Sequence, residues 1–428
     1  MAEVYNVLVF PAGTEIAFEI HDALRDSKFV RLFGGTSVDC HADFVFKNCI
    51  GGFPFVDEPG FVEYINRITD EYQIDYIYPA HDSALLSLTM AREKLHAKVV
   101  TSDLRTVEIC RSKNKTYTFL EGADYLPGSF RCADEVREFP VFIKPSVGQG
   151  ALGARRIDDM PHLKEALAEG VEYAICEYLP GEEYTVDCFT DRHGKLRFVN
   201  LRTRDRIRAG IAVRSRVLPP DERITAIAED LNSRLSFNGA WFFQVKRNTA
   251  GDFRLMEAAP RIAGTMCVSR NLGINMPLLT LYNMWGYDVD IICNGNEELM
   301  DRAFISRFRT DISYENVYVD FDDTLIVRGK VNAKLMMFLY QAKNDGKNII
   351  LLTKHSSDIY QDLKASCIAE QLFDEIILLE KKDDKAPYIK DHSIFIDDSF
   401  AERKRVHEAA GIPVFDLDMV ESLLDWRA

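Results

Sequence analysis

The sequence contains no run approaching the roughly 18 consecutive apolar residues that a helix needs to cross a bilayer, so no transmembrane segment is expected. It has no Cys-x-x-Cys pair: its nine cysteines are scattered and odd in number, which reads as reduced, mostly buried thiols of a cytoplasmic enzyme. Basic residues are in deficit, 52 Lys and Arg against 67 Asp and Glu, for a formal charge of −15. That balance argues against broad binding of nucleic acid or anionic membrane. The opening, MAEVYNVLVFPAG, lacks a basic stretch before its short apolar run and reads as a first strand, not a signal peptide. Repeats and low-complexity segments are missing too. What is present is the material of large cores, 47% hydrophobic and 28% charged over 428 residues, enough for roughly two to four domains.

Three patterns succeed one another along the chain. Residues 4–10 form an apolar run stopped by Pro-Ala-Gly, and Ile16, Ile20 and Leu24 then recur with the spacing of one helix face. Residues 76–88 repeat the plan of strand, break at Pro79 and helix, and 97–103 add another short strand. Such alternation predicts a parallel sheet with ligands near the strands' C-terminal ends, so 1–105 reads as an α/β domain. After residue 115 the pattern changes to paired strands: 141–157 around a glycine-rich loop, 173–189 around Pro180-Gly181, and 240–262 with a turn near 249–252. All three are expected to be antiparallel hairpins, making 115–300 an α+β region of two lobes. The stretch from NGNEE (294–298) to Tyr314 reads as linker. From Val317 the alternation of strand and helix returns, as a compact three-layer α/β unit.

In VYVDFDDTLIVRG (317–329) a hydrophobic run ends in Asp320, with Asp322, Asp323 and Thr324 directly after. An aspartate at a strand tip can attack a phosphoryl group covalently, splitting one difficult displacement into two. An acid two residues on can protonate the leaving oxygen and then activate water. Two anions must approach, so a cation is needed, and Mg²⁺ suits carboxylates. Thr353 ends NIILLT, Lys385 precedes a helix, and Asp397 and Asp398 end SIFIDD; in a parallel sheet these strand ends can converge on one edge. The arrangement resembles the haloacid dehalogenase-like phosphatase superfamily over essentially all of 315–428. The resemblance implies Asp320 as nucleophile, Asp322 as general acid/base, and Thr353 and Lys385 holding the phosphoryl group. It implies a Mg²⁺ site from Asp320, Asp322, Asp397 and Asp398. Lys381 and Lys382 remain alternatives to Lys385. Short connections between the motifs predict a Rossmann-like unit with a minimal cap and an open site.

Further forward, Lys144 lies on a strand that leads into Gly148, Gly150 and Gly153, where backbone N–H groups can approach phosphate oxygens beside a point charge. If the third hairpin turns on Ala250-Gly251, Gln244 faces Glu257 with Cβ atoms roughly 5 Å apart, oxygen donors suited to Mg²⁺ on nucleotide phosphates. Arg261, in PRIAG, is then near enough to offer phosphate a planar fork. Arg202, Arg204, Arg206 and Arg208 share even parity, so an extended strand would present them on one face, for a polyanion or carboxylate or simply for solvent. His81-Asp82 could line a pocket or cap a helix.

Together these pieces resemble the ATP-grasp superfamily over about 1–300, whose members are mostly ligases that use ATP to turn a carboxylate into an acylphosphate. The resemblance implies a pre-ATP-grasp α/β domain at 1–105 and an ATP-grasp domain at 106–300, with a central lobe of about 115–190 and a C-terminal lobe of about 191–300. A linker at 301–314 and the phosphatase domain at 315–428 follow. Carried over by position, Lys113, Lys144 and the three glycines contact phosphates, Glu177 and Leu179 lie at the adenine pocket, and Glu183 holds the ribose. Gln244 and Glu257 bind Mg²⁺, and Arg261, with Arg204, Arg206, Arg208 and Arg214, orients the acylphosphate or substrate. The family's Glu-x-Asn is broken here, because Ala259 stands where asparagine is usual. The expected activity is a cytoplasmic, bifunctional ATP-dependent carboxylate–amine ligase and phosphatase. It would use ATP and Mg²⁺ (or Mn²⁺), take small-molecule substrates and a phosphorylated metabolite, and bind neither nucleic acid nor membrane. Self-association as a homodimer would be unsurprising. A nucleotide-binding sensor fused to an active phosphatase, or a kinase-like enzyme, are the alternatives.

Overall fold

The computed structural model describes residues 3–148 and 150–427. The chain separates into two compact units, Met1–Phe304 and Ile305–Ala428. No helix among the described residues is long and apolar enough to cross a membrane.

The first unit begins with a five-stranded parallel sheet in the spatial order Cys49–Ile50, Val30–Gly35, Tyr5–Phe10, Tyr76–Pro79, Lys98–Val99. Its central strand buries Val7, Leu8 and Val9 completely, as a strand covered on both faces must. His81 caps the helix Asp82–Ala91, accepting from the Ser83 N–H at 3.2 Å.

Two further sheets build the middle of this unit. One joins Ser129–Phe130, Tyr173–Glu177, Val141–Pro145 and Arg155–Ile157; the other joins Leu196–Thr203, Glu183–Thr190, Gly239–Arg247 and Phe253–Ala259. The stretches 173–177 and 183–190 are therefore not a hairpin. The first pairs with Val141–Pro145 and the second with Gly239–Arg247, so the chain crosses from one sheet to the other at Pro180-Gly181. Both flanking segments read as strands, and local patterning could not distinguish a crossover from a turn.

The hairpin of 239–259 carries the expected Gln244–Glu257 pair, but for a different reason. Near the turn the pairing is one residue shorter, Val245 opposite Leu255 and Arg247 opposite Phe253, and a bulge at Met256 shifts the register before Glu257. The bulge lets Leu255 and Ala258 share one apolar core with Phe243 and Val245, while Glu257 joins Gln244 on the opposite face.

The arginine row does not form one face. The strand ends at Thr203 and a new one starts at Arg206, paired with Ile211–Arg216 and then Leu299–Asp301. Arg202 is fully buried, in a two-pronged ion pair with Asp187 at 2.9 and 3.0 Å. Asp301 accepts from Arg206 and Arg214, each at 2.6 Å. The polar stretch from 294 thus contains a sheet edge up to Asp301 rather than linker throughout.

The second unit is a five-stranded parallel sheet ordered Glu375–Leu378, Asn348–Thr353, Asn316–Val319, Ser393–Ile396, Val414–Phe415. Val317, Tyr318 and Val319 are fully buried at its centre. Between Asp320 and Thr353 the chain inserts a two-stranded hairpin, Ile326–Val327 with Lys330–Val331, and the helix Ala333–Asn344. Arg328 and Gly329 both have positive φ (52° and 72°), the turn geometry whose twist matches such a hairpin.

Candidate functional site

One cavity of about 210 Å³ in the first unit is lined by Lys113, Lys144, Gly148, Gly150, Glu177, Leu179, Glu183, Arg204, Gln244 and Glu257. Residues from five separate stretches meet there, because two antiparallel sheets and the helix Lys113–Phe119 contribute to the same space. Lys144 is buried, donates to the Met256 carbonyl at 2.8 Å, and is held below the ordinary lysine range by burial. That carbonyl lies at the bulge, where it also accepts from the Tyr117 hydroxyl at 2.9 Å. Lys113 stands 3.6 Å from Glu257, and Arg204 stands 2.6 Å from Glu183. Glu177 accepts from the Gly128 N–H at 3.0 Å.

The glycine loop is held from outside. A Cβ on Gly210 would stand 2.4–2.6 Å from the Gly150 backbone, so the turn at 209–210 closes against the loop only because position 210 has no side chain. Arg204 fastens the same turn by donating to the Gly210 carbonyl at 2.9 Å.

Several expected residues lie elsewhere. Arg261 is outside this cavity, in a two-pronged ion pair with Asp82 at 2.6 and 2.7 Å. Burial alone would raise the Asp82 carboxyl, but the Arg261 guanidinium outweighs it and holds the group at about 2. Both line a narrower pocket beside Lys113 and Glu257. Arg206 and Arg214 are occupied by Asp301, and Arg208 is exposed. Gly153 does not reach the cavity; its backbone packs against Pro145. Ala259 shares the Glu257 face and lines the same narrow pocket as Arg261, where it offers only a methyl group, packed against apolar side chains such as Phe242. Lys246 and Tyr117 line the cavity without having been anticipated. Both follow from spacing: Lys246 stands two residues after Gln244 on a strand, and Tyr117 stands four residues after Lys113 on the helix Lys113–Phe119, on the same face.

In the second unit the parallel register sets Asp320, Thr353 and Asp397 at the ends of three neighbouring strands. Lys385 donates to Asp320 at 2.7 Å and to Asp397 at 2.6 Å. It is the buried lysine of its segment, whereas Lys382 is exposed and pairs with Glu380. Burial opposes the charge on Lys385, yet the two carboxylates raise its pKa. Burial also raises Asp320 and Asp397, and burial with the Asp397 charge raises Asp398. Oxygens of these three acids lie within 4.8 Å of one another, a hard donor set that fits a magnesium-sized cation. The Thr353 hydroxyl is buried near Asp320 without a well-formed hydrogen bond.

Asp322 is not part of that cluster, contrary to the sequence expectation for its side chain. It accepts from His355 at 2.8 Å, and His355 also contacts Asp362 at 2.7 Å. Asp320 follows directly on a strand and is buried, while Asp322 lies on the turn beyond it, 57% exposed. His355 lies two residues beyond Thr353, and no sequence signal marked it.

Residues 170–299 match the family model described as ATP-grasp in the biosynthetic pathway with Ter operon. Among solved structures, the biotin carboxylase domain of 2-oxoglutarate carboxylase from Hydrogenobacter thermophilus, in complex with MgADP, ADP and bicarbonate, superimposes with a TM-score of 0.57. It shares 14% identity, over 68% of this chain and 71% of its own. An L-amino acid ligase from Bacillus licheniformis shares 18% identity over 66% of this chain and 74% of its own, with a TM-score of 0.52. N5-carboxyaminoimidazole synthetase from Staphylococcus aureus complexed with ADP gives 14%, 69%, 81% and 0.55 in the same terms. A comparison with curated proteins yields no match. The chain thus contains an ATP-grasp fold.

Proposed function

We propose that the chain is a bifunctional enzyme, an ATP-dependent carboxylate–amine ligase joined to a phosphatase. The observation that carries the first half is the single cavity in which Lys113, Lys144, the glycine loop, Gln244 and Glu257 meet. The bound ADP and Mg²⁺ of the similar structures support ATP and Mg²⁺ as its ligands, and the L-amino acid ligase supports the reaction class. On this reading the domains are 1–105, 106–300 and 315–428, and the protein works in the cytoplasm as a homodimer.

Lys144 and Lys113 hold the phosphates, and Gly148 and Gly150 let the backbone approach them. A carboxylate oxygen of the substrate attacks the γ-phosphorus, the bond to the bridging oxygen breaks and ADP leaves. The amine nitrogen then attacks the acyl carbon, phosphate departs with the bonding pair, and the nitrogen loses its proton to solvent. Gln244 and Glu257 offer oxygen donors for the magnesium, which neutralises phosphate charge when bound.

The strand-end cluster of Asp320, Thr353, Lys385 and Asp397 supports membership of the haloacid dehalogenase-like phosphatases for 315–428. Asp320 attacks phosphorus, the ester P–O bond breaks, and Asp322 gives its proton to the leaving oxygen. Water then attacks the phosphorus of the aspartyl phosphate, losing a proton to Asp322, and Asp320 is regenerated with release of phosphate. Lys385 steadies the attacking carboxylate, and a cation held by Asp320, Asp397 and Asp398 would shield the approach of two anions. Joining the activities in one chain suits a phosphatase acting on a substrate or product of the ligase.

ADP release, with amino acids crossed against carboxylates on an Asp320→Asn background, tests the first activity. The ligase reading fails if Lys144→Ala leaves every ATP-dependent turnover unchanged. A second reading, nucleotide binding without turnover, is favoured by one observation, the apolar burial of Ala259 where a metal-binding asparagine is usual. ADP bound but never formed, across the whole panel, would favour it.

A further inference from the structure

A second cavity of the first unit, an open cleft of about 920 Å³, lies at the C-terminal ends of the first parallel sheet. It is within the range of small-molecule sites. Val38, Phe55, Met90 and Val147 are each more than half exposed, and all four line this one cleft. Large apolar side chains are ordinarily exposed singly, so their convergence marks a surface built to be covered.

Arg111 stands at the mouth where this cleft meets the narrow pocket of Lys113, Glu257 and Arg261. It closes the helix Leu104–Arg111 and is half-buried. Its guanidinium donates to the Ser83 hydroxyl at 3.2 Å and the Gly148 carbonyl at 3.3 Å; among the described residues no carboxylate forms a close ion pair with it, and Asp82, which feels its charge, is already taken by Arg261. The same Gly148 carbonyl takes the Lys113 ammonium at 3.5 Å. An anion on Arg111 would therefore lie beside the residues proposed to hold phosphate and magnesium. A planar guanidinium paired only with neutral acceptors matches a carboxylate in shape and charge.

We propose that this cleft takes the acid to be activated, and that the acid carries an extended apolar chain. Its carboxylate rests on Arg111 and its hydrocarbon covers Val38, Phe55 and Met90. The inference deepens the ATP-dependent ligase reading and rests on it. Asp57, Glu108 and Glu172 also border the cleft, so the same chemistry is presented either by a plain alkanoate or by an apolar amino acid, whose ammonium these acids would meet.

Calorimetric titration of the full chain with acetate, butyrate, hexanoate and octanoate, with and without saturating MgADP, tests the proposal. Matched pairs, 4-methylpentanoate against L-leucine and 3-phenylpropionate against L-phenylalanine, report whether an α-ammonium is required. In the preferred arm, affinity should rise about fourfold for each added methylene, and 1-octanol and octylamine should not compete. Arg111→Gln should weaken the best ligand at least tenfold. Met90→Glu, at a site too exposed to threaten folding, should flatten the dependence on chain length. Absence of chain-length dependence among the alkanoates together with no binding of L-leucine or L-phenylalanine overturns the proposal, as does equal binding to Arg111→Gln. Chain-length-dependent binding without any MgADP binding would support the cleft and sink the ATP reading instead.

Discussion

Replacing Lys385 by methionine probes the second unit most directly. The ammonium lies 2.7 Å from Asp320 and 2.6 Å from Asp397, its side chain 3% exposed and theirs 10% and 1%. Methionine fills much of the space and leaves two buried carboxylates facing each other. Removing one partner of a buried ion pair costs about 3–5 kcal/mol, which for a unit of this size lowers the melting temperature by about 10 °C or more. The loss has a pH signature. Burial already raises the Asp320 and Asp397 carboxyls, and a carboxyl raised in the folded state draws stability away as pH rises past its unfolded value. Without the ammonium both rise further, so the deficit should be largest near pH 8 and close towards pH 4. The assay is thermal unfolding of the full chain in chelator across that range. Adding Asp397→Asn should recover most of the loss, and Mg²⁺ should stabilise Lys385→Met more than the parent, because the three-acid cluster has lost its internal cation. Lys382→Met, 80% exposed, is the neutral control. A melting point within about 2 °C of the parent at pH 8, or a deficit indifferent to Asp397→Asn, would refute the reasoning.

Lys144→Met should weaken ADP binding at least tenfold by calorimetry while the chain stays folded, since what is lost internally is one hydrogen bond, to the Met256 carbonyl, and a cation–π contact with the Tyr117 ring. Arg202→Met should destabilise by about 3–5 kcal/mol in urea unfolding, leaving a buried Asp187 unpaired. Arg206→Ala, in an exposed pair with Asp301, should stay within about 0.5 kcal/mol. Burial works against the charge on His355, but Asp322 and Asp362 outweigh it and raise its pKa. Its contribution is thus present below the ordinary histidine pKa and lost as pH rises through the raised value. His355→Gln should lower the melting point at pH 6 and match the parent at pH 9.

What could be read in advance follows from how locally each feature is encoded. The parallel sheets at both ends were visible because fully buried strands, such as Val7–Val9 and Val317–Val319, read as unbroken apolar runs. Asp320, Thr353 and Asp397 were legible together because each directly follows or ends such a run. The alternating strands of the middle region were equally visible, but their partners were not. Nothing near Pro180-Gly181 says that the flanking strands leave for different sheets. The roles of the arginines escaped for the same reason: parity orders side chains only while a strand continues, and this one ends at Thr203.

By itself the sequence determined where the main strands and helices form and which acids, lysines and glycines stand at their ends, because burial periodicity and strand-end residues are properties of neighbouring positions. Only the tertiary structure decided which of those residues meet. The Met256 bulge sets Glu257 opposite Gln244, Asp82 claims Arg261, Lys385 rather than Lys382 reaches Asp320, and Arg111 is left facing an apolar cleft. Each outcome turns on a contact between segments far apart in the chain, where geometry and desolvation choose among groups of the same charge.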